Sequence, residues 1–335
     1  MNSSPTISPL RESNLTPAAA SKLSLTQSVL FLVFVWYLTA VFSVTTSKTI
    51  LNHKPYPHVL CLCQFMVAYY VSTTLANYHT TFKSVSEASM LLVISIGVTY
   101  SLGFILTNMA FSKASTSFAE TVKASEPISS VIFGYIFYSE SLTVNTYMAL
   151  LLICIGVATS CMTSDAFNLV AFSLAIGSNI FFSARAVLSK VLVRSYPDVM
   201  NEISLFTYIS LCGVLTVLPF TAILDAPIIL MGDASNSSDG NISNISLGFL
   251  YICNGVAYTA YNLMSFMVLM RTNIATHAVL NVFRRVFIIV FTSVYFNNPL
   301  SDLNIFGIFL SILGVLLFNW FKGNVEGDKK GHSGA

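Results

Sequence analysis

Long apolar runs constrain this chain more than any other feature. A helix needs roughly 20 apolar residues to cross a hydrocarbon core about 30 Å thick. Reading for such runs finds ten, at about 27–48, 57–79, 88–111, 116–139, 144–162, 168–191, 201–224, 246–270, 275–297 and 302–321. Only 9% of the residues are charged, against about a quarter in soluble domains. In lipid the backbone must satisfy its own hydrogen bonds, and runs this long do so as helices. The expectation is an all-α membrane protein with ten transmembrane helices, its environment a lipid bilayer. The small net charge of +2 and the lack of a basic, aromatic-interleaved surface segment give no sign of a nucleic-acid partner.

Four cations break the pattern. Lys123, Arg185, Arg284 and Arg285 sit inside apolar runs, where an insertion scale sets the cost of each at roughly 2.5–3.5 kcal/mol. The acids in comparable runs are Glu120 and Glu126. Two carboxylates cannot neutralise four cations, so the expected partner is an anionic substrate.

The other Lys and Arg residues orient the helices. With the N-terminus on side A, Arg11, Lys22, Lys83, Lys190, Arg194, Arg271, Lys322, Lys329 and Lys330 flank that side, and Lys48, Lys54 and Lys113 flank the other. The positive-inside rule then places both termini in the cytosol. The longest loop, about 225–245, falls on the opposite side; it carries Asp225, Asp233 and Asp239, and sequons at Asn236, Asn241 and Asn244. Asn14 forms a sequon on the predicted cytosolic side as well, so chance occurrence competes with glycosylation.

A weak internal repeat recurs at an offset of 158 residues, matching Phe133 with Phe291, Leu142 with Leu300, Leu152 with Leu310, and Gly156-Val157 with Gly314-Val315. Duplicating five crossings inverts the second copy, and inverted repeats place a substrate site near the midplane between them. The expected organisation is a tail over 1–26, five-helix repeats over 27–162 and 163–322, and a tail over 323–335.

In the fourth run Glu120, Lys123 and Glu126 recur every three residues and share roughly one helix face. Pro127 removes a backbone donor four residues after Lys123 and is expected to kink the helix there. In the ninth run Arg284 and Arg285 are adjacent, about 100° apart on a helix. Guanidinium forks match phosphate oxygens and Lys adds a point charge. Tyr261, in the polar stretch Tyr258-Thr259-Ala260-Tyr261-Asn262, is a second kind of candidate. His277 reads either as a ligand contact or proton carrier, or as a helix-start residue bonded to backbone. The six cysteines show no disulfide or zinc spacing and read as small packing residues. No cofactor is expected.

These residues carry a resemblance. Ser117-Phe118, Thr121-Val122-Lys123-Ala124 and Glu126-Pro127, with Thr276-His277, Asn281-Val282 and Arg284-Arg285-Val286, resemble the plastidic phosphate translocators, the triose-phosphate translocator family of the drug/metabolite transporter superfamily. Gly177-Ser178-Asn179 through Arg185, Ser189-Lys190, Asp198 and Asn201 fit the same family. The resemblance, from about 60 to 322, implies a ten-helix antiporter exchanging a small phosphorylated metabolite for inorganic phosphate. It assigns the phosphate to Lys123, Arg284 and Arg285, and lines the rest of the cavity with Thr107, Arg185 and Tyr261. It also exposes departures: Arg284-Arg285 stands where the family has Lys-Arg, while Phe104 and Glu120 stand where it has histidines. Those two changes are expected to weaken binding of a second anionic group such as a carboxylate. Glu120 is also a possible coupling residue.

Rival readings are a nucleotide-sugar transporter of the same superfamily, a membrane enzyme acting on a phosphorylated lipid, and a non-transporting receptor. The dibasic pair argues against the first. The missing metal spacing and nucleophile elbow argue against the second, and the repeat with its midplane charges argues against the third. Ser, Thr and Ala dominate the first 24 residues, and the compartment stays open among plastid envelope, Golgi and endoplasmic reticulum.

Overall fold

A computed structural model describes residues 17–79, 87–138, 143–162, 167–196, 202–232, 244–272, 274–298 and 300–332. Among these residues the chain is helical, with no strand. Helices α1 (Pro17–His53), α2 (Pro57–His79) and α3 (Glu87–Lys113) are followed by a short α4 (Thr116–Lys123) and by α5 (Glu126–Tyr138). Then come α6 (Val144–Met162), α7 (Leu169–Ser195), α8 (Glu202–Phe220), a π-helical turn at Thr221–Asp225, α9 (Ala226–Gly232), α10 (Asn244–Arg271), α11 (Ile274–Tyr295) and α12 (Asp302–His332). Seven helical stretches among the described residues are long and apolar enough to cross a membrane; the one at Ile203–Met231 runs through α8, the π turn and α9.

Burial is inverted relative to a water-soluble protein. Phe31, Tyr70, Leu91 and Phe249 lie on the outside, whereas Ser178, Asn179, Asn254 and Ser101 are buried. Water would favour the opposite arrangement, so the exterior is built for lipid. The buried hydroxyls are satisfied locally: Thr46, Thr107, Thr121 and Thr259 each donate to the carbonyl four residues earlier, which needs no partner helix.

The expected kink at Pro127 is a complete break between α4 and α5. Ser115 opens α4 by accepting from the Phe118 amide at 3.2 Å, an N-cap that satisfies one orphan donor. After Lys123 the chain turns at Ala124-Ser125, and Pro127 sits in the first turn of α5, where its missing N–H costs nothing. Asn179 of α7 braces the break, donating to Ser125 Oγ at 3.2 Å.

The most extensive packing pairs α6 with α12, α3 with α7, α1 with α10 and α2 with α8. At the first of these seams the backbones touch: a Cβ on Gly156 would lie 2.4 Å from Ser311 N, and one on Gly307 would lie 2.5 Å from Ser160 N. Small residues at such seams let helices approach without side chains intervening.

The loop expected over 225–245 begins later than the sequence suggests. Asp225 is buried, ending the π turn, and the chain continues as α9 to Gly232. Its carboxylate accepts from the His58 and Val59 amides at 3.0 and 2.9 Å and sits 2.8 Å from His58 Nδ1. An anion facing the first amides of α2 stabilises that helix start. Asn236 and Asn241 lie outside the described residues, as do Asp198 and Asn201.

Candidate functional site

A cavity of about 180 Å³ lies among α1, α2, α3, α4, α5, α7, α10 and α11. Drug-sized ligand sites run to roughly 300–1,000 Å³, so this one suits a small solute. Every residue singled out from the sequence lines it: Lys123, Arg185, Arg284, Arg285, Glu120, Tyr261, Thr107, Phe104 and His277. Residues separated by as many as 181 positions thus converge because α4 and α7 pack together and α11 packs on α4.

The cations do not share one environment. Arg285 bridges both acids, with Nη1 3.3 Å from Glu120 Oε2 and Nη2 2.6 Å from Glu126 Oε2. Lys123 Nζ stands 3.6 Å from the other oxygen of Glu120 and 5.3 Å from the centre of the Phe182 ring. The two acids therefore hold α4 and α5 to α11 through Arg285. Equal roles for Lys123, Arg284 and Arg285 are the simplest expectation from sequence; in the structure Arg285 already has carboxylate partners on both sides.

Arg284 and Arg185 have no carboxylate within ion-pair distance among the described residues. Arg284 donates Nε–H to Asn281 Oδ1 at 3.0 Å, and its guanidinium lies 5.7 Å from the Trp36 ring and 5.8 Å from the Tyr261 ring. Arg185 lies 5.0 Å from the Tyr100 ring, and its Nε, like Trp36 Nε1, is buried without a hydrogen-bond partner. Ring faces attract cations by roughly 0.5–2 kcal/mol without neutralising them. A buried donor without an acceptor costs about 1–3 kcal/mol, so the cavity is primed for acceptor oxygens.

The remaining wall is aromatic and neutral. Phe104 meets the Phe182 and Tyr258 rings edge to face at 5.2 and 5.0 Å, which places an apolar surface where the family resemblance implied a basic ring. Thr107 donates its proton to Gly103 O at 2.9 Å, leaving its oxygen to accept. His277 Nε2 is 3.2 Å from Ser265 Oγ, and the ring stacks on Trp36 at 5.2 Å. The ring's partners are thus Ser265, through its hydroxyl and its backbone, and the Trp36 indole, so the backbone-bonded reading of His277 stands beside its place in the cavity lining.

Sequence reasoning missed Trp36 and the polar side chains Ser43, Ser47, Gln64 and Asn108, which also line the cavity. Gln64 donates to Asn254 Oδ1 at 2.9 Å and to Ser47 Oγ at 3.2 Å, and accepts from Asn108 Nδ2 at 3.0 Å. Asn254 in turn donates to Ser43 O, Thr46 Oγ1 and Ser47 Oγ at 2.8, 2.8 and 2.9 Å. The available signal was an amide in each of three apolar runs.

The model of the Triose-phosphate Transporter family matches residues 27–319. The chain is 31% identical over 290 residues to "Phosphoenolpyruvate/phosphate translocator 1, chloroplastic" of Arabidopsis thaliana, covering 86% of this chain and 70% of that one. It is 28% identical over 301 residues to "Triose phosphate/phosphate translocator, chloroplastic" of Pisum sativum, covering 90% and 74%. A solved structure described only as "Crystal structure of protein" shares the fold, with a TM-score of 0.53 at 13% identity over 87% of this chain and 96% of that one.

Proposed function

The chain belongs to the triose-phosphate transporter family, and from that membership and the charge of its cavity we propose that it is an antiporter exchanging a small phosphorylated metabolite for inorganic phosphate. It is a multi-pass membrane protein and a transporter rather than an enzyme. The observation that carries the reading is a charge balance. Lys123, Arg185, Arg284 and Arg285 oppose Glu120 and Glu126 in the lining, four formal positive charges against two negative, with His277 counted neutral. The surplus of two matches a phosphate or monophosphate-ester dianion.

The phosphate binds to Arg284 and Lys123, with Arg185 and the orphaned indole proton of Trp36 supplying further donors. Arg285 completes the cluster, since the oxygens of an arriving dianion compete for it with Glu120 and Glu126 and take over part of the role those carboxylates play in the empty cavity. Two guanidiniums without counter-charge cannot be sealed from water cheaply, because an unpaired buried ion costs several kcal/mol. Occlusion therefore requires a bound anion, and return of the carrier requires another, which makes the exchange obligatory.

Ten crossings serve this cycle: α1, α2, α3, α4 with α5, and α6 in one half, and α7, α8 with α9, α10, α11 and α12 in the other. Pseudo-symmetry between the halves is supported by pairs 158 residues apart. Phe133 stacks on Phe137 at 5.9 Å, as Phe291 stacks on Tyr295 at 5.9 Å. Gly97 closes on Cys212 of α8, and Gly255 closes on Val67 of α2. Access alternates between the two faces of the membrane, with both termini cytosolic by the distribution of Lys and Arg. The chloroplastic relatives favour a plastid envelope among the compartments open from sequence, and a cavity of about 180 Å³ is too small to favour a nucleotide sugar.

The test is counter-exchange in proteoliposomes loaded with phosphate or left empty. Uptake of labelled phosphate or dihydroxyacetone phosphate only into loaded vesicles is expected. Equal uptake into empty vesicles would remove the antiport mechanism, and transport of nucleotide sugars alone would remove the substrate class.

A further inference from the structure

Arg284 and the neutral amides of the cavity lie at different depths along the helices that line it. All of its formal charge belongs to the cluster around Glu120, Lys123, Arg284 and Arg285, with Arg185 beside Tyr100. The side chains of Ser47, Gln64 and Asn108 are neutral and linked to one another and to Asn254, which also donates to the Ser43 backbone carbonyl. Two helices give the separation independently. On α1, Trp36 lies beneath Arg284 and Ser43 is seven residues further on, which is ~10 Å at 1.5 Å per residue. On α10, Tyr261 lies beneath Arg284 and Asn254 is seven residues away in the other direction along the chain, again ~10 Å. The antiparallel course of those two crossings puts both markers of the neutral cluster on the same side of Arg284.

Resting on the antiporter reading above, we propose that this amide wall is the subsite for the organic body of the substrate, with Asn108 and Gln64 as its specificity-determining residues. The phosphate occupies the cationic cluster and is complete there. A hydroxyl or carbonyl carried several atoms from the phosphorus reaches the amides. An asparagine amide offers two protons and two lone pairs, and the bonds of Asn108 to Gln64 and to the Cys61 thiol use two of those four positions. Ser47 accepts from both Gln64 and Asn254 through its oxygen, and its own proton is a further donor. Such a surface both gives and accepts hydrogen bonds, as a polyol or carbonyl compound requires.

A carboxylate at the same place fares worse. It would add a negative charge beyond the two that the cationic cluster balances, beside side chains that are themselves neutral, and the Lys48 ammonium next along α1 is already committed to the Phe111 and Ala114 carbonyls at 2.7 and 2.9 Å. Buried charge without a counter-charge is strongly disfavoured. The carrier therefore prefers phosphorylated carbonyl and hydroxyl compounds over phosphorylated carboxylates. Phe104, packed against Phe182 and Tyr258, adds no compensating donor.

The structural alternative is that the amides only hold α1, α2, α3 and α10 together. Asn254 separates the two ideas, because it is the most connected member of the network yet is not part of the cavity lining. The experiment measures KM in phosphate-loaded proteoliposomes for three probes: phosphate, dihydroxyacetone phosphate and phosphoenolpyruvate. The wild type is expected to take dihydroxyacetone phosphate at a lower KM than phosphoenolpyruvate. Asn108→Ala is expected to raise the ratio of the dihydroxyacetone phosphate KM to the phosphate KM by about tenfold, the loss of roughly one hydrogen bond. Asn108→Ser, which retains a hydroxyl, recovers part of that ratio. Asn254→Ala lowers thermal stability and, reaching the substrate only through Gln64 and Ser47, changes the ratio much less than Asn108→Ala does. The proposal is overturned if Asn108→Ala and Asn254→Ala change the ratio alike, if neither changes it, or if the wild type prefers phosphoenolpyruvate. Should Asn108→Ala not fold, the same ratio measured on Asn108→Ser and on Gln64→Glu decides it; an added charge at position 64 must depress uptake of the organic phosphate more than that of phosphate. Absence of phosphate exchange in the wild type would instead remove the antiporter reading on which the proposal rests.

Discussion

Replacing Arg284 by alanine should abolish phosphate binding while leaving the empty protein as stable as before or more so. Arg284 has no carboxylate within ion-pair distance among the described residues, its contacts being one bond to Asn281 and two ring faces. A guanidinium fork gives phosphate two charge-assisted hydrogen bonds, each worth roughly 1.5–3 kcal/mol. Losing both costs roughly 3–6 kcal/mol, or ~10²–10⁴ in the dissociation constant. In the empty protein the balance tips the other way: attraction to the Trp36 and Tyr261 rings is worth roughly 0.5–2 kcal/mol, whereas removing an unpaired buried charge relieves several kcal/mol. The assay is thermal unfolding of the purified protein in detergent, with and without phosphate, alongside counter-exchange. Phosphate stabilises a carrier that binds it by RT ln(1 + [L]/Kd), so the wild-type melting temperature should rise with phosphate and that of Arg284→Ala should not. Retention of the phosphate-dependent rise in Arg284→Ala, or a marked fall in the melting temperature of its empty form, would refute the reasoning.

The neighbouring substitution should behave oppositely. Arg285→Ala leaves Glu126 without its 2.6 Å partner and Glu120 with Lys123 alone, so the empty protein should lose about 3–5 kcal/mol of stability, with part of it restored by adding Glu126→Gln, as read by thermal unfolding. Asp225→Ala should destabilise by about 1–2 kcal/mol through loss of the cap on α2; an aspartate in a solvated loop would show no change in the same measurement. Gly156→Leu should prevent folding or assembly of the bundle, because its side chain would enter the Ser311 backbone, while Gly248→Ala, with nothing within 4 Å, should leave the melting temperature unchanged.

The parts of the site legible in the sequence were those that violate the local environment. Lys123, Arg284 and Arg285 stand out because lipid-length runs exclude charge; the three-residue spacing puts Glu120 and Lys123 on one face of α4, whereas Glu126, expected on the same face, lies past the break at the start of α5. What the spacing could not give was the partition of those charges, which depends on α11 meeting the break between α4 and α5, so that Arg285 takes both acids and Arg284 takes neither. Trp36 and the amides were illegible for a different reason. In these helices apolar side chains face lipid and protein alike, so periodicity does not report which side of a run looks inward. A single Gln or Asn per run gains meaning only when α1, α2, α3 and α10 are brought together. Asp225 was misplaced because it groups in sequence with Asp233 and Asp239 of the segment that follows, while its carboxylate belongs to a helix start 167 residues away.

The seam between α6 and α12 has a mechanical consequence. Where Gly156 and Gly307 press backbone on backbone, each groove is one residue wide, and a slip by one position would drive a side chain into the opposing chain. Such a joint can swivel slightly but cannot slide. Any rearrangement that turns the cavity from one face of the membrane toward the other must leave this joint in register. Helices α6 and α12 are thereby pinned as blades are pinned at a pivot, and any travel is left to other helices of the bundle.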